Sequence, residues 1–128
     1  MTAGRSAAER LLIVDDDAAS RLTLTVLLED EGFVVEEAMS LSDASARISA
    51  GPPCAAVILD NQLGDGRGSQ LVPRIRARWP EAKILSLSGD ADVASQGSAF
   101  DGCVTKDGSF SVLLDALRAL LATDRLLL

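Results

Sequence analysis

Short apolar runs that stop on polar residues alternate with stretches of helical spacing along this chain. The first run, Leu11-Leu12-Ile13-Val14, is too short for a typical helix and ends at Asp15-Asp16-Asp17, so it predicts a buried strand. From Ala18 to Glu31 the spacing turns helical, with Leu24, Leu27 and Leu28 available to a core and Gly32 placed to end the helix. Phe33 to Glu36 predicts a second strand. Ser42 to Ala50 predicts a short helix started near Ser40 or Ser42 and closed by Gly51-Pro52-Pro53. Ala55 to Leu59 is apolar at every position, as a parallel strand covered on both faces should be, and it runs straight into Asp60.

Asn61 to Gly68 carries three glycines and predicts a loop. Gln70 to Trp79 predicts a helix that tolerates Pro73 only in its first turn, and Pro80 closes it. Ile84 to Leu87 predicts a fourth strand ending at Ser88 and Gly89, and Cys103-Val104-Thr105 a fifth ending at Lys106. Phe110, Leu113, Leu114, Leu117 and Leu121 form one stripe of a last helix. Five strand-helix units predict an α/β fold with a doubly wound, five-stranded parallel sheet, and 128 residues make it a single domain over 1–128.

Composition narrows the chemistry. Hydrophobic residues make up 48% of the chain but aromatics only 3%, so aliphatic side chains must fill the core. Twelve basic against nineteen acidic residues give a net charge of -7, which argues against a broad nucleic-acid footprint. Met1 to Arg10 lacks the apolar middle of a secretion signal, and no apolar run approaches the roughly 20 residues that span a bilayer. A cytoplasmic protein without membrane insertion is expected. Cys54 and Cys103 form no CxxC and are expected to be reduced. With no His, Ser-His-Asp and Cys-His catalysis are excluded, and any chemistry must use carboxylates, hydroxyls, amides or a lysine.

In an open parallel sheet, ligands bind beyond the C-terminal ends of the strands. Those ends deliver Asp15 and Asp16 from strand one, Asp60 from strand three, Ser88 from strand four and Lys106 from strand five. Three carboxylates in one crevice repel, and a hard divalent cation, best Mg2+, is the simple remedy. Open coordination positions beside a lysine and a hydroxyl suit phosphoryl transfer with a carboxylate as nucleophile. Asp17 is read as a helix cap. An EF-hand fails because its sixth loop position would be Asp65 and its twelfth Leu71, and no P-loop ends in Gly-Lys-Ser or Gly-Lys-Thr.

The segments LLIVDDD at 11–17, AVILDNQLGDGRG at 56–68, ILSLSG at 84–89 and CVTK at 103–106 together resemble the receiver domain of two-component response regulators, over nearly the whole chain. The resemblance implies a flavodoxin-like, CheY-like sheet of order 2-1-3-4-5. It implies that Asp60 accepts a phosphoryl group from a sensor histidine kinase or a histidine phosphotransfer protein. Asp15, Asp16, Asp60 and the backbone carbonyl of Gln62 would serve the metal, Asp15 largely through water. Ser88 matches the switch hydroxyl and Lys106 the lysine that pairs first with Asp60 and then with the phosphoryl group. The residues at Gln62 and Asp90 match positions that set the lifetime of the acyl phosphate.

Three positions depart from that pattern. Asp107 follows the lysine where Pro is usual, and a cis bond there would cost about 2.5–4 kcal/mol. Cys103 occupies the place of an aromatic switch residue, which shifts the expected response to the Ser88-Gly89-Asp90 loop and the segment 91–101. That segment is short, implying a short or irregular fourth helix. The implied protein is primarily a signalling protein that promotes its own phosphorylation and dephosphorylation, with a protein target downstream and a homodimer among its assemblies. The alternatives are a receiver-like interaction module independent of phosphate and a metal-dependent phosphatase, the latter lacking an evident substrate-binding cap.

Overall fold

The computed structural model describes residues 9–88, 100–106 and 108–126, apart from the side chains of Ser88 and of residues 123–126. The strands β1 (Arg10–Val14), β2 (Val34–Ala38), β3 (Ala56–Asp60), β4 (Lys83–Ser88) and β5 (Gly102–Thr105) form one sheet in the order β2-β1-β3-β4-β5. Every neighbouring pair is parallel, with Leu11 opposite Ala56, Asp60 opposite Leu87 and Ser88 opposite Thr105. The strand-helix alternation predicted a doubly wound parallel sheet, and the order observed within it is the 2-1-3-4-5 that the resemblance implied.

The sheet splits the core into two layers because successive side chains point to opposite faces. Leu12, Val14, Val57, Leu59 and Ile84 face the helices α2 (Leu41–Ala50) and α3 (Val72–Arg78), whose Ile48 and Ile75 are wholly buried. Leu11, Ile13, Ile58, Leu85 and Val104 face α1 (Ala18–Asp30) and the last helix (Phe110–Leu126). The last helix buries Leu113, Leu114, Leu117 and Leu121, with Phe110 packed alongside, so the whole predicted stripe is used.

Helix ends follow local chemistry. The Asp17 carboxylate accepts the Ser20 N–H at 2.9 Å and caps α1, the role read for it from sequence. At the other end Phe33 N–H bonds Leu28 O and Gly32 N–H bonds Glu29 O, a Schellman closure that needs Gly32 at φ +101°. Ser40 caps α2 by accepting the Asp43 N–H at 3.0 Å. Pro73 lies in the first turn of α3, after a 3-10 turn over Gly68–Leu71.

Three details differ from the sequence reading. Leu27 is 37% exposed rather than committed to the core. The 61–68 loop contains a small antiparallel hairpin, Gln62–Leu63 against Gly66–Arg67. The helix expected from Gln70 begins at Val72, since the preceding residues take the tighter 3-10 turn. The expected short fourth helix and the Asp90 position fall at 89–99, and Asp107 is likewise outside the described residues. Among the described residues, no helix is long and apolar enough to cross a membrane. Both cysteines are free thiols, Cys54 buried and pushed up to about 11 chiefly by that burial.

Candidate functional site

The strand ends bring the predicted acids together. β1 leads into Asp15 and Asp16 and its neighbour β3 ends on Asp60, and a carboxylate oxygen from each of the three lies within 4.8 Å of those of the other two. Asp15 and Asp60 are buried at 1% and 4% exposure, whereas Asp16 faces solvent. Lys106, just past β5, reaches across the sheet end: its Nζ donates to Asp60 Oδ2 at 2.8 Å and stands 3.6 Å from Asp15 Oδ2. Asp17 is turned away onto Ser20. Gln62 donates its N–H to Asp60 Oδ1 at 3.0 Å. Ser88 ends β4, beside Lys106's strand in the register, and its side chain is outside the described set.

Burial and charge compete here. Desolvation raises the Asp15 carboxyl above its ordinary range, against the Asp17 N–H and the Lys106 charge, and the neighbouring Asp60 adds to the rise. Burial alone would lower the Lys106 ammonium, but the hydrogen bond and charge of Asp60, joined by Asp15, hold it above its usual value. Among the described residues, one ammonium against three carboxylates leaves the crevice net negative. A divalent cation with oxygen ligands fits this donor set, since it removes the residual repulsion and carboxylates are hard ligands.

A neutral replacement at Asp15 tests that balance. In chelator at neutral pH, Asp15→Asn should melt higher than wild type, because the amide keeps an acceptor for the Asp17 N–H (2.9 Å from Asp15 Oδ1) without a buried charge. Since the folded value of Asp15 is raised, its contribution to stability is present below the ordinary carboxylate range and lost as pH rises through the folded value. The advantage of the variant is therefore full at neutral pH and fades as the pH falls. Thermal melts across pH check the sign, and magnesium titration should show weaker binding in the same variant.

Several supporting residues carry no signal in sequence because their partners are distant. Arg21 donates to the Asp15 carbonyl at 2.7 Å and to Glu37 at 2.8 Å, fixing the end of β1 against β2. Asp65 accepts N–H groups from Leu41 and Ser42. Gly68 is a different case, since a Cβ there would stand 2.3 Å from Asp60 O and 2.9 Å from Leu59 Cγ. Gly68→Ala should force the backbone below Asp60 to move and cost ~1–3 kcal/mol in urea denaturation; an unchanged midpoint would show that the approach relaxes freely.

A cleft of about 490 Å³ leads from Asp15 and Lys106 between α1 and the last helix, over Leu24, Leu87, Val104 and Phe110. It places apolar surface next to the charged crevice.

Comparison with known proteins matches this architecture. The family model described as response regulator receiver domain matches residues 11–118. The acid tolerance regulatory protein ActR of Sinorhizobium medicae is 39% identical over 89 residues, covering 70% of this chain and 45% of ActR. The photosynthetic apparatus regulatory protein RegA of Cereibacter sphaeroides is 38% identical over 89 residues, covering 70% of this chain and 48% of RegA. The chain spans about half the length of the curated relatives it matches. Among solved structures, a CheY-like response regulator receiver domain protein from Methanospirillum hungatei has a TM-score of 0.84 at 27% identity, over 93% of this chain and 98% of that one. The response regulator TrrA of Thermotoga maritima, in complex with Mg2+ and BeF, has a TM-score of 0.80 at 28% identity, over 88% of this chain and 98% of that one.

Proposed function

This chain belongs to the response regulator receiver domain family, and we propose that it takes a phosphoryl group from a phosphohistidine donor onto Asp60 in a magnesium-dependent reaction. The observation that carries the proposal is the placement of Asp60 within 2.8 Å of the Lys106 ammonium and beside Asp15 and Asp16. Asp15, Asp16, Asp60 and the Gln62 carbonyl would hold the cation, Asp15 largely through water. Bound there, magnesium supplies charge neutralisation for the oxygens of the transferring group.

The steps assigned to the chain's own residues are few. An Asp60 carboxylate oxygen attacks phosphorus as the phosphorus–nitrogen bond of the donor breaks, and the leaving imidazole keeps that bonding pair and regains its proton from water. The product is an acyl phosphate. Lys106, first bound to Asp60, then faces a phosphoryl oxygen and stabilises the charge gathered on it. Ser88, at the end of β4, is the hydroxyl proposed to bond another phosphoryl oxygen. That bond would draw the strand end toward the site and pass the change to a downstream protein.

The donor is a sensor histidine kinase or a histidine phosphotransfer protein, and the cleft beside Lys106 offers an apolar seat next to the charged entry. The test is intact-mass measurement after incubation with magnesium and a small phosphodonor. An increment of one phosphoryl group that depends on magnesium supports the reading. No increment with any small donor or kinase would sink it in favour of an interaction module that needs no phosphate.

A further inference from the structure

Asp65 sits in the turn of the hairpin formed by Gln62–Leu63 and Gly66–Arg67. Its two carboxylate oxygens reach outside that hairpin, Oδ1 accepting the Leu41 N–H at 2.9 Å and Oδ2 the Ser42 N–H at 3.2 Å. These are the first two helical residues of α2, where N–H groups have no partner within the helix and the helix dipole favours an anion. The Leu41 bond, with the Ser42 bond, holds the Asp65 carboxyl below its ordinary value against slight desolvation. The backbone follows the side chain: Gly66, at φ +148°, comes so close to α2 that a Cβ would stand 2.5 Å from Leu41 Cδ1.

The opposite side of the hairpin faces the acids. A Cβ on Gly64 would lie 3.6 Å from Asp16 Oδ2, and the Gln62 N–H is already bound to Asp60 Oδ1. Two-residue strands are too short to hold themselves in place, and Gly64, Gly66 and Gly68 lower the stiffness further. The position of the hairpin is therefore set by its tethers. Asp60 holds one end, Gln70 Oε1 holds the other through the Arg67 N–H at 2.8 Å, and Asp65 holds the middle.

We infer that Asp65 is a positioning residue for the cation site: its clamp on the first turn of α2 fixes where the hairpin, and with it Gln62, stands against Asp16 and Asp60. The inference rests on the cation site proposed above. It needs no contact between Asp65 and the cation.

The test compares Asp65→Ala with Ser40→Ala in the full chain. Both remove a cap from α2, but the Ser40 Oγ bonds only the Asp43 N–H within the same turn and does not hold the hairpin. Hydrogen exchange without metal and magnesium affinity by calorimetry are measured on each. In Asp65→Ala, exchange should quicken at Leu41 and Ser42 and also at Gln62, Arg67 and Gly68, and magnesium affinity should fall roughly tenfold, the size seen when an outer support of a metal site is lost. Ser40→Ala should leave the affinity unchanged. Release of Leu41 and Ser42 alone would overturn the clamp, as would wild-type affinity in Asp65→Ala or equal losses in both variants. A wild type that takes no magnesium overturns the cation reading instead, while the exchange pattern still decides whether Asp65 holds the hairpin.

Discussion

With Asp60 replaced by Asn, the chain should take up no phosphoryl group from a small donor or a kinase, yet remain folded. The carboxamide is a poor nucleophile and cannot form the acyl phosphate. Its oxygen still accepts the Gln62 N–H, which now binds Asp60 Oδ1 at 3.0 Å, and the exchange removes a charge from a position only 4% exposed. Lys106 loses its nearer partner but keeps Asp15 and is 32% exposed, so water can solvate the ammonium. Intact mass should show one added phosphoryl group on wild type and none on the variant, with matching circular dichroism spectra. Full labelling of Asp60→Asn on Asp15, Asp16 or Asp65 would overturn the assignment.

Lys106→Met should slow phosphorylation by about 10²–10³-fold, the usual loss when a preorganised donor to developing charge is removed. Methionine fills similar space and leaves the strand β5 intact, but it has no charge and no N–H to offer Asp60 Oδ2. The same change removes an ammonium that competes with a cation for the crevice, so magnesium should bind more tightly even as transfer slows. This opposition separates a chemical role from a structural one. Single-turnover labelling and magnesium titration on the same sample check both signs. A variant that labels at the wild-type rate would show that Lys106 takes no part in the transfer.

The sheet was legible because four of its five strands are apolar runs that stop on a polar residue. β1 and β3 stop on Asp15 and Asp60, and the four such stops gather at one edge of the sheet, whereas β2 carries Glu36 and Glu37 and ends on Ala38. The Asp17 cap was legible for a local reason, since its partner is three residues away. The hairpin at Gln62 to Arg67 was hidden because two-residue strands have no period to detect. Asp65 and Arg21 were hidden because their partners come from other elements: Leu41 and Ser42 for the first, Glu37 and the Asp15 carbonyl for the second. Leu27 was misread because α1 carries more apolar residues than its buried stripe uses, and Leu22 and Val26 are also exposed there.

The carboxylates come from β1 and β3, whereas the ammonium opposite them follows β5, an edge strand that enters the sheet by pairing with β4. A folding intermediate that has joined β1 to β3 but still lacks β5 holds its acids together without their counter-charge. Such a species is penalised against both the unfolded chain and the finished sheet, and the penalty removes a resting place between them. β5 pairs along its backbone with β4, not with β1 or β3, so it is electrostatics that couple the last strand to the acids of the first and third, and an otherwise peelable edge is drawn into the cooperative unit.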